Sequence, residues 1–162
     1  MKIGEGVGFC EEFCSFRLFR VAMTLSRRAK LVSGLILITV PTIMYGGLTL
    51  LGLLTQGTAG MPPGDLTLTE TQSALWRAGH AHAGVWVILS LVIQGLVDGA
   101  RLPDAVDWTA RLGAPGAAIA TSGGFFGLAF FPAFRWLLYL GGLCLAVSVV
   151  LTGVGLLRNL QD

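Results

Sequence analysis

Charge is what this sequence has least of: 12% of its 162 residues are Asp, Glu, Lys or Arg, against roughly 25% in an ordinary soluble domain. That shortfall excludes a water-soluble fold. Cysteine is scarce as well, with three in the chain, and Cys10, Cys14 and Cys144 make no disulfide framework. Cys10 and Cys14 sit one helical turn apart, but without a second pair they are an incomplete zinc site, and Cys144 falls in an apolar run as a small packing residue. No serine–histidine–acid spacing, Gly-rich phosphate loop or metalloprotease motif occurs, which disfavours a hydrolytic enzyme. The net charge is only +2, and the basic residues gather at segment ends rather than in a patch, so nucleic acid is not an expected partner.

In place of charge the chain has hydrocarbon: 54% of its residues are hydrophobic. Four apolar runs, 31–54, 75–97, 112–131 and 136–157, each reach the ~20 residues that a helix needs to cross a bilayer. The expected fold is all-α, an integral membrane four-helix bundle, up-down and antiparallel, in one domain spanning 31–158. The connection 55–74 carries Gly57, Gly60, Pro62, Pro63 and Gly64, then Asp65 and Glu70, and reads as a polar loop. The connection 98–111 holds Arg101, Pro103, Asp104, Asp107 and the interfacial Trp108, and 132–135 is a tight hairpin link.

Orientation follows from the basic residues. Of eleven Lys and Arg, Lys2, Arg17, Arg20, Arg27, Arg28, Lys30, Arg101, Arg111 and Arg158 fall on one side, and only Arg77 and Arg135 on the other. This asymmetry predicts a multi-pass protein of the inner (plasma) membrane with both termini in the cytoplasm. Residues 1–30 form a basic, amphipathic N-terminal segment, in which two readings of 1–22 stay open. Met23 followed by a short basic run into the first span has the form of a natural start, which makes the preceding residues translated upstream sequence. Alternatively, Phe9, Phe13, Phe16 and Phe19 with Arg17 and Arg20 make an amphipathic helix on the inner leaflet. Pro41 predicts a kink in the first span, and Tyr45 follows on its outer half.

The second span carries the chemistry, because Arg77-Ala78-Gly79-His80-Ala81-His82-Ala83-Gly84 places both of the chain's histidines and an arginine in an otherwise apolar segment. Ionisable groups at such depth are costly and default to a functional role. At about 100° per residue, Arg77, His80, Gln94 and Asp98 share one sector, whereas His82 lies about 200° from His80. The stripe is expected to face the interior, and a continuous helix cannot close both imidazoles on one metal. The candidate ligand-binding residues are therefore Arg77, His80, Gln94 and Asp98 with Tyr45, and the candidate metal ligands are His80 and His82. Asp65 and Glu70 supply the structural alternative, a loop carboxylate for Arg77. Small pairs four residues apart, Gly79/Ala83, Gly95/Gly99, Gly123/Gly127 and Gly142/Ala146, are expected to let helices approach closely. Hydroxyls of Thr121, Ser122, Tyr139, Ser148 and Thr152 are available to complete a polar pocket.

The block 77–84, with Tyr45-Gly46-Gly47 and the closing Gly153-Val154-Gly155-Leu156-Leu157-Arg158, resembles small four-span bacterial membrane proteins over residues 23–160. More remotely, the Gly-His-Ala-His run is similar to histidine-bearing helices of the haem–copper oxidase subunit I superfamily and the related NnrS proteins. That resemblance implies haem b as a cofactor, with His80 or His82 as axial ligand and Arg77 near a propionate. A sixth ligand then comes from Met44, Tyr45, Met61 or a second subunit, or the iron stays five-coordinate. Those proteins have more spans and further histidines on other helices.

Three functional classes follow. One is a haem-binding or redox membrane protein with an outer-side Arg/His site. Another is a small carrier or quinone-site protein lined by Arg77, His80, Gln94 and Asp98 and acting as a homo-oligomer. The last is a structural or assembly subunit of a larger membrane complex.

Overall fold

The computed structural model describes residues 25–60 and 66–160, and among them every regular element is helical. Helix α1 spans Arg27–Leu54, α2 Glu70–Ala100, α3 Asp104–Leu128 and α4 Arg135–Arg158, with one 3-10 turn, Pro132–Phe134, ahead of α4. The expected amphipathic helix around Phe9–Phe19, the pair Cys10 and Cys14, and Met61 and Asp65 lie outside the described residues.

Each boundary has a local cause. Ser26 caps α1, its hydroxyl accepting the Ala29 amide at 3.1 Å, and Thr69 and Gln72 close a reciprocal capping box at the start of α2. The α3 helix starts behind Pro103 with Asp104 and Asp107 in its first turn, where carboxylates meet the positive end of the helix dipole. Arg101 ends α2 with a left-handed φ of 45°.

Three segments, Arg27–Leu54, Glu70–Ala100 and Pro132–Arg158, are long and apolar enough to cross a membrane. Large aliphatic side chains such as Ile38, Leu48, Ile88, Val92 and Val150 stand on the exterior, where water would penalise them and lipid does not. The molecule is a membrane protein. The α3 helix is the exception in composition, and its packing supplies the reason. It lies against both α2 and α4 and buries Ala110, Ala114, Ala117, Ala118, Thr121, Ser122 and Gly124. A helix covered by protein on two sides needs few large apolar side chains.

The helices turn back on one another. Ser26 at the head of α1 meets Asp98 at the foot of α2, Gln72 at the head of α2 donates to the Ala129 carbonyl after α3 at 3.0 Å, and Asn159 after α4 donates to Gly99 at 3.0 Å. The α3 and α4 axes approach through glycine. A Cβ on Gly113 would stand 2.8 Å from the Ser148 Cβ and 2.9 Å from the Cys144 carbonyl oxygen, and one on Gly141 would collide with Thr121. The expected pair Gly142/Ala146 is exposed, and Gly123 meets no side chain. The close approach is made by the neighbours Gly124 and Gly141, because small-residue spacing marks a contact face only to within a residue when the partner helix is unknown.

The largest departure from the sequence reading is the α2–α3 connection. Expected over 98–111, it consists of Arg101, Leu102 and Pro103 alone, and α3 begins at Asp104 rather than at 112. The polar residues that resemble a loop are two helix ends fastened by charge. Arg111, 2% exposed, donates through Nε to Asp107 at 2.8 Å, through Nη2 to Asp107 at 3.0 Å and to Asp98, and through Nη1 to the Gln94 carbonyl at 3.1 Å. Gln94 answers with a 2.9 Å bond from its own side chain to the Arg111 carbonyl. The second oxygen of Asp98 accepts the Ser26 amide at 2.8 Å, and Arg28 reaches Asp104 at 2.8 Å and Asp107 at 3.3 Å. Three helices are tied at one end by a single guanidinium and its counter-ions.

Removing one member of a buried pair leaves the other charge without compensation. Arg111→Met is expected to lower stability by about 3–5 kcal/mol, while Asp104→Asn, which loses an exposed contact, costs about 1 kcal/mol or less. Unfolding of the purified protein in mixed micelles measures both, and equal losses would show that Arg111 does not carry the fold.

Candidate functional site

A cleft of about 560 Å³ lies between α1, α2 and α3. It exists because α1 is fastened at its first turn and again near Gly47, but meets α3 sparingly along the length between. Val32, Ile36 and Ile43 of α1, Ala83 and Val87 of α2, and Pro115, Ile119 and Phe126 of α3 give it an apolar wall. From Val32 to Gly46 the α1 wall rises through fourteen helical steps, about 21 Å at 1.5 Å each.

Few polar groups interrupt this wall. The Thr39, Thr42 and Ser90 hydroxyls donate to the carbonyls of Ile36, Thr39 and Trp86 on their own helices, as hydroxyls in apolar helices do. His80 and Ser122 remain. The Ser122 residue is 8% exposed, and its hydroxyl has no partner among the described residues. Gly79, next to His80, packs against α3 so closely that a Cβ would stand 3.2 Å from the Ser122 carbonyl oxygen. His80 and Ser122 therefore sit at one level, at the same end of the cleft. Among the described residues His80 is the only ionisable side chain on the lining, and its Nε2–Cε1 edge leans on α1, where a Cβ at Gly47 would be 2.9 Å from both atoms.

The remaining site residues expected from the sequence are dispersed. His82 turns to α3, its Nδ1 donating to the Ala78 carbonyl at 2.7 Å and its ring centroid 4.9 Å from Phe125 and 5.6 Å from Trp86. The two histidines serve different helices. Gln94 and Asp98 are held by Arg111, about 21 and 27 Å down the helix from His80. Arg77 and Tyr45 are exposed on the exterior. The polar stripe of α2 thus divides into a cleft residue, His80, and a structural pair, Gln94 and Asp98.

A haem does not fit these placements. The Nε2 of His80 faces the α1 backbone, His82 is bonded to its own helix and flanked by aromatic rings, and Met44 and Tyr45 point outward. Among the described residues no three His, Cys, Asp or Glu side chains converge for a metal.

Arg111 and Asp107 are the functional-looking residues that sequence reasoning assigned to a connection. The available signal was spacing: Asp104, Asp107 and Arg111 recur at three and four residues, one helical face. Comparison with family models, with curated proteins and with solved structures returns no match.

The fit of Gly47 against His80 generates a direct test. Gly47→Val is expected to push the imidazole off its seat and to cost about 1–3 kcal/mol, as overpacking does, whereas Gly46→Val, beside open space, is neutral. Combining Gly47→Val with His80→Ala restores most of the loss in a double-mutant cycle followed by thermal melting. Additive losses would show that the two residues do not touch.

Proposed function

We propose that this chain is a four-span protein of the inner membrane, with both termini in the cytoplasm, that binds an elongated apolar ligand with a hydrogen-bonding head, of the quinone kind. It is a binding or carrier protein rather than a hydrolytic enzyme. The orientation rests on the clustering of Arg27, Arg28, Arg101, Arg111 and Arg158 at the end where α1 begins and α2 and α4 finish. Basic residues at one end of a helical membrane protein are retained on the cytoplasmic side.

The observation that carries the reading is the pairing of His80 with an orphaned Ser122 hydroxyl at one end of a long, otherwise apolar cleft. A buried hydroxyl without a partner is costly. A ligand carbonyl that accepts from Ser122, with a second oxygen facing the imidazole, removes that cost and leaves the tail to the aliphatic wall. His80 and Ser122 orient the head, and Ala83, Val87, Pro115 and Ile119 select a slender chain. This reading draws on the Nδ1 side of His80, whereas a haem iron ordinarily takes the Nε2 that leans on α1.

A short-tailed ubiquinone analogue, added to detergent-purified protein, is expected to quench tryptophan fluorescence saturably. His80→Ala and the cleft-filling Ala83→Phe each weaken binding roughly tenfold, the ratio equivalent to losing one buried hydrogen bond or its access. Ser122→Ala weakens it less. If quenching is linear in the analogue, or if both variants bind as the parent does, the cleft is a packing defect and the protein is a structural subunit.

A further inference from the structure

We propose a second, independent site: a pocket for the phosphate of an anionic phospholipid at the clasped end of the molecule. A recess of about 340 Å³ is lined there by Ser26, Arg27, Arg28, Asp98, Arg101, Asp107 and Arg111, with Val97 and Leu102 beneath them. Its charges are unequally engaged. Arg111 is consumed by Asp98, Asp107 and Gln94, and Arg28 by Asp104 and Asp107. Asp98 has given both oxygens, one to Arg111 and one to Ser26.

Two guanidiniums are left over. Arg27 and Arg101 line the same recess, are exposed, and make no ion pair or hydrogen bond among the described residues. Arg101 is held there by backbone geometry rather than by a side-chain contact, because it closes α2 in the left-handed region at φ 45°. Non-glycine residues reach that region at a cost. Two guanidiniums on one recess over a neutralised floor match a phosphate, which accepts paired N–H groups from arginine.

The source is a lipid headgroup on positional grounds. The recess opens where the apolar runs of α1 and α2 end, beside the partly exposed Trp108, whose ring carries Arg28 at 5.6 Å, and tryptophan favours the headgroup level. Exposed Leu25 and Leu31 flank it and offer a path for an acyl chain. The quinone-type cleft does not line this recess, so the two sites stand or fall separately.

Native mass spectrometry of the full chain released from detergent tests this with short-chain phosphatidylglycerol as probe. One-to-one adducts are expected with phosphatidylglycerol and not with phosphatidylcholine. Arg27→Gln and Arg101→Gln each weaken the adduct about fivefold, the ratio equivalent to roughly 1 kcal/mol per basic residue at an anionic surface. Arg158→Gln, at the same end but outside the recess, changes it less than about twofold, and Arg27→Lys retains part of the affinity. Both glutamine variants replace exposed side chains, and unchanged helicity by circular dichroism confirms their folding. Equal phosphatidylcholine binding, or an Arg158→Gln loss as large as the others, overturns the site in favour of diffuse attraction. Displacement of the lipid by inorganic phosphate at equal concentration overturns the lipid assignment and leaves a free-anion pocket.

Discussion

One arginine with almost no solvent contact decides how the helices of this protein meet. Arg111 cannot shed its charge at any accessible pH, so its burial obliges the fold to deliver acceptors from wherever the chain can supply them. Asp107 comes from its own helix one turn back, and Asp98 and the Gln94 carbonyl come from the preceding helix. Register between α2 and α3 is fixed by that requirement, and Ser26 and Arg28 bring α1 into the same knot. Small residues then let the helices close along the remaining length.

The clasp also explains why space remains elsewhere. With α1 secured at its first turn and touching α2 again where Gly47 meets His80, nothing forces its middle onto α3. Thr39, Thr42 and Ser90 satisfy their hydroxyls within their own helices and so exert no pull across the gap. The cleft is what remains between two points of attachment, and His80 and Ser122 occupy its more polar end.

Class was legible in the sequence because hydropathy over twenty residues is a strong signal, and the apolar runs that became α1, α2 and α4 coincide closely with the helices. The α3 helix was harder to delimit, since Asp104, Asp107 and Arg111 look the same in a polar loop and in a buried ion network until the partner helix is known. The stripe of Arg77, His80, Gln94 and Asp98 is a real face of α2, but a face 30 Å long meets different neighbours along its length. Angular position alone cannot say that His80 meets α1 while Asp98 meets Arg111. Ser122 was visible only as one hydroxyl among several, and its distinction, the lack of a partner, belongs to the packing.

The three-residue link of Arg101, Leu102 and Pro103 also makes the buried ion network local in sequence. So short a reversal makes α2 and α3 a hairpin whose two arms meet through residues close together in the chain. Within that hairpin Arg111 is matched to Asp98 and Asp107, so its charge is compensated without a carboxylate from α1 or α4. One continuous stretch of chain, 94–111, therefore holds the guanidinium and, among the described residues, every acceptor it uses.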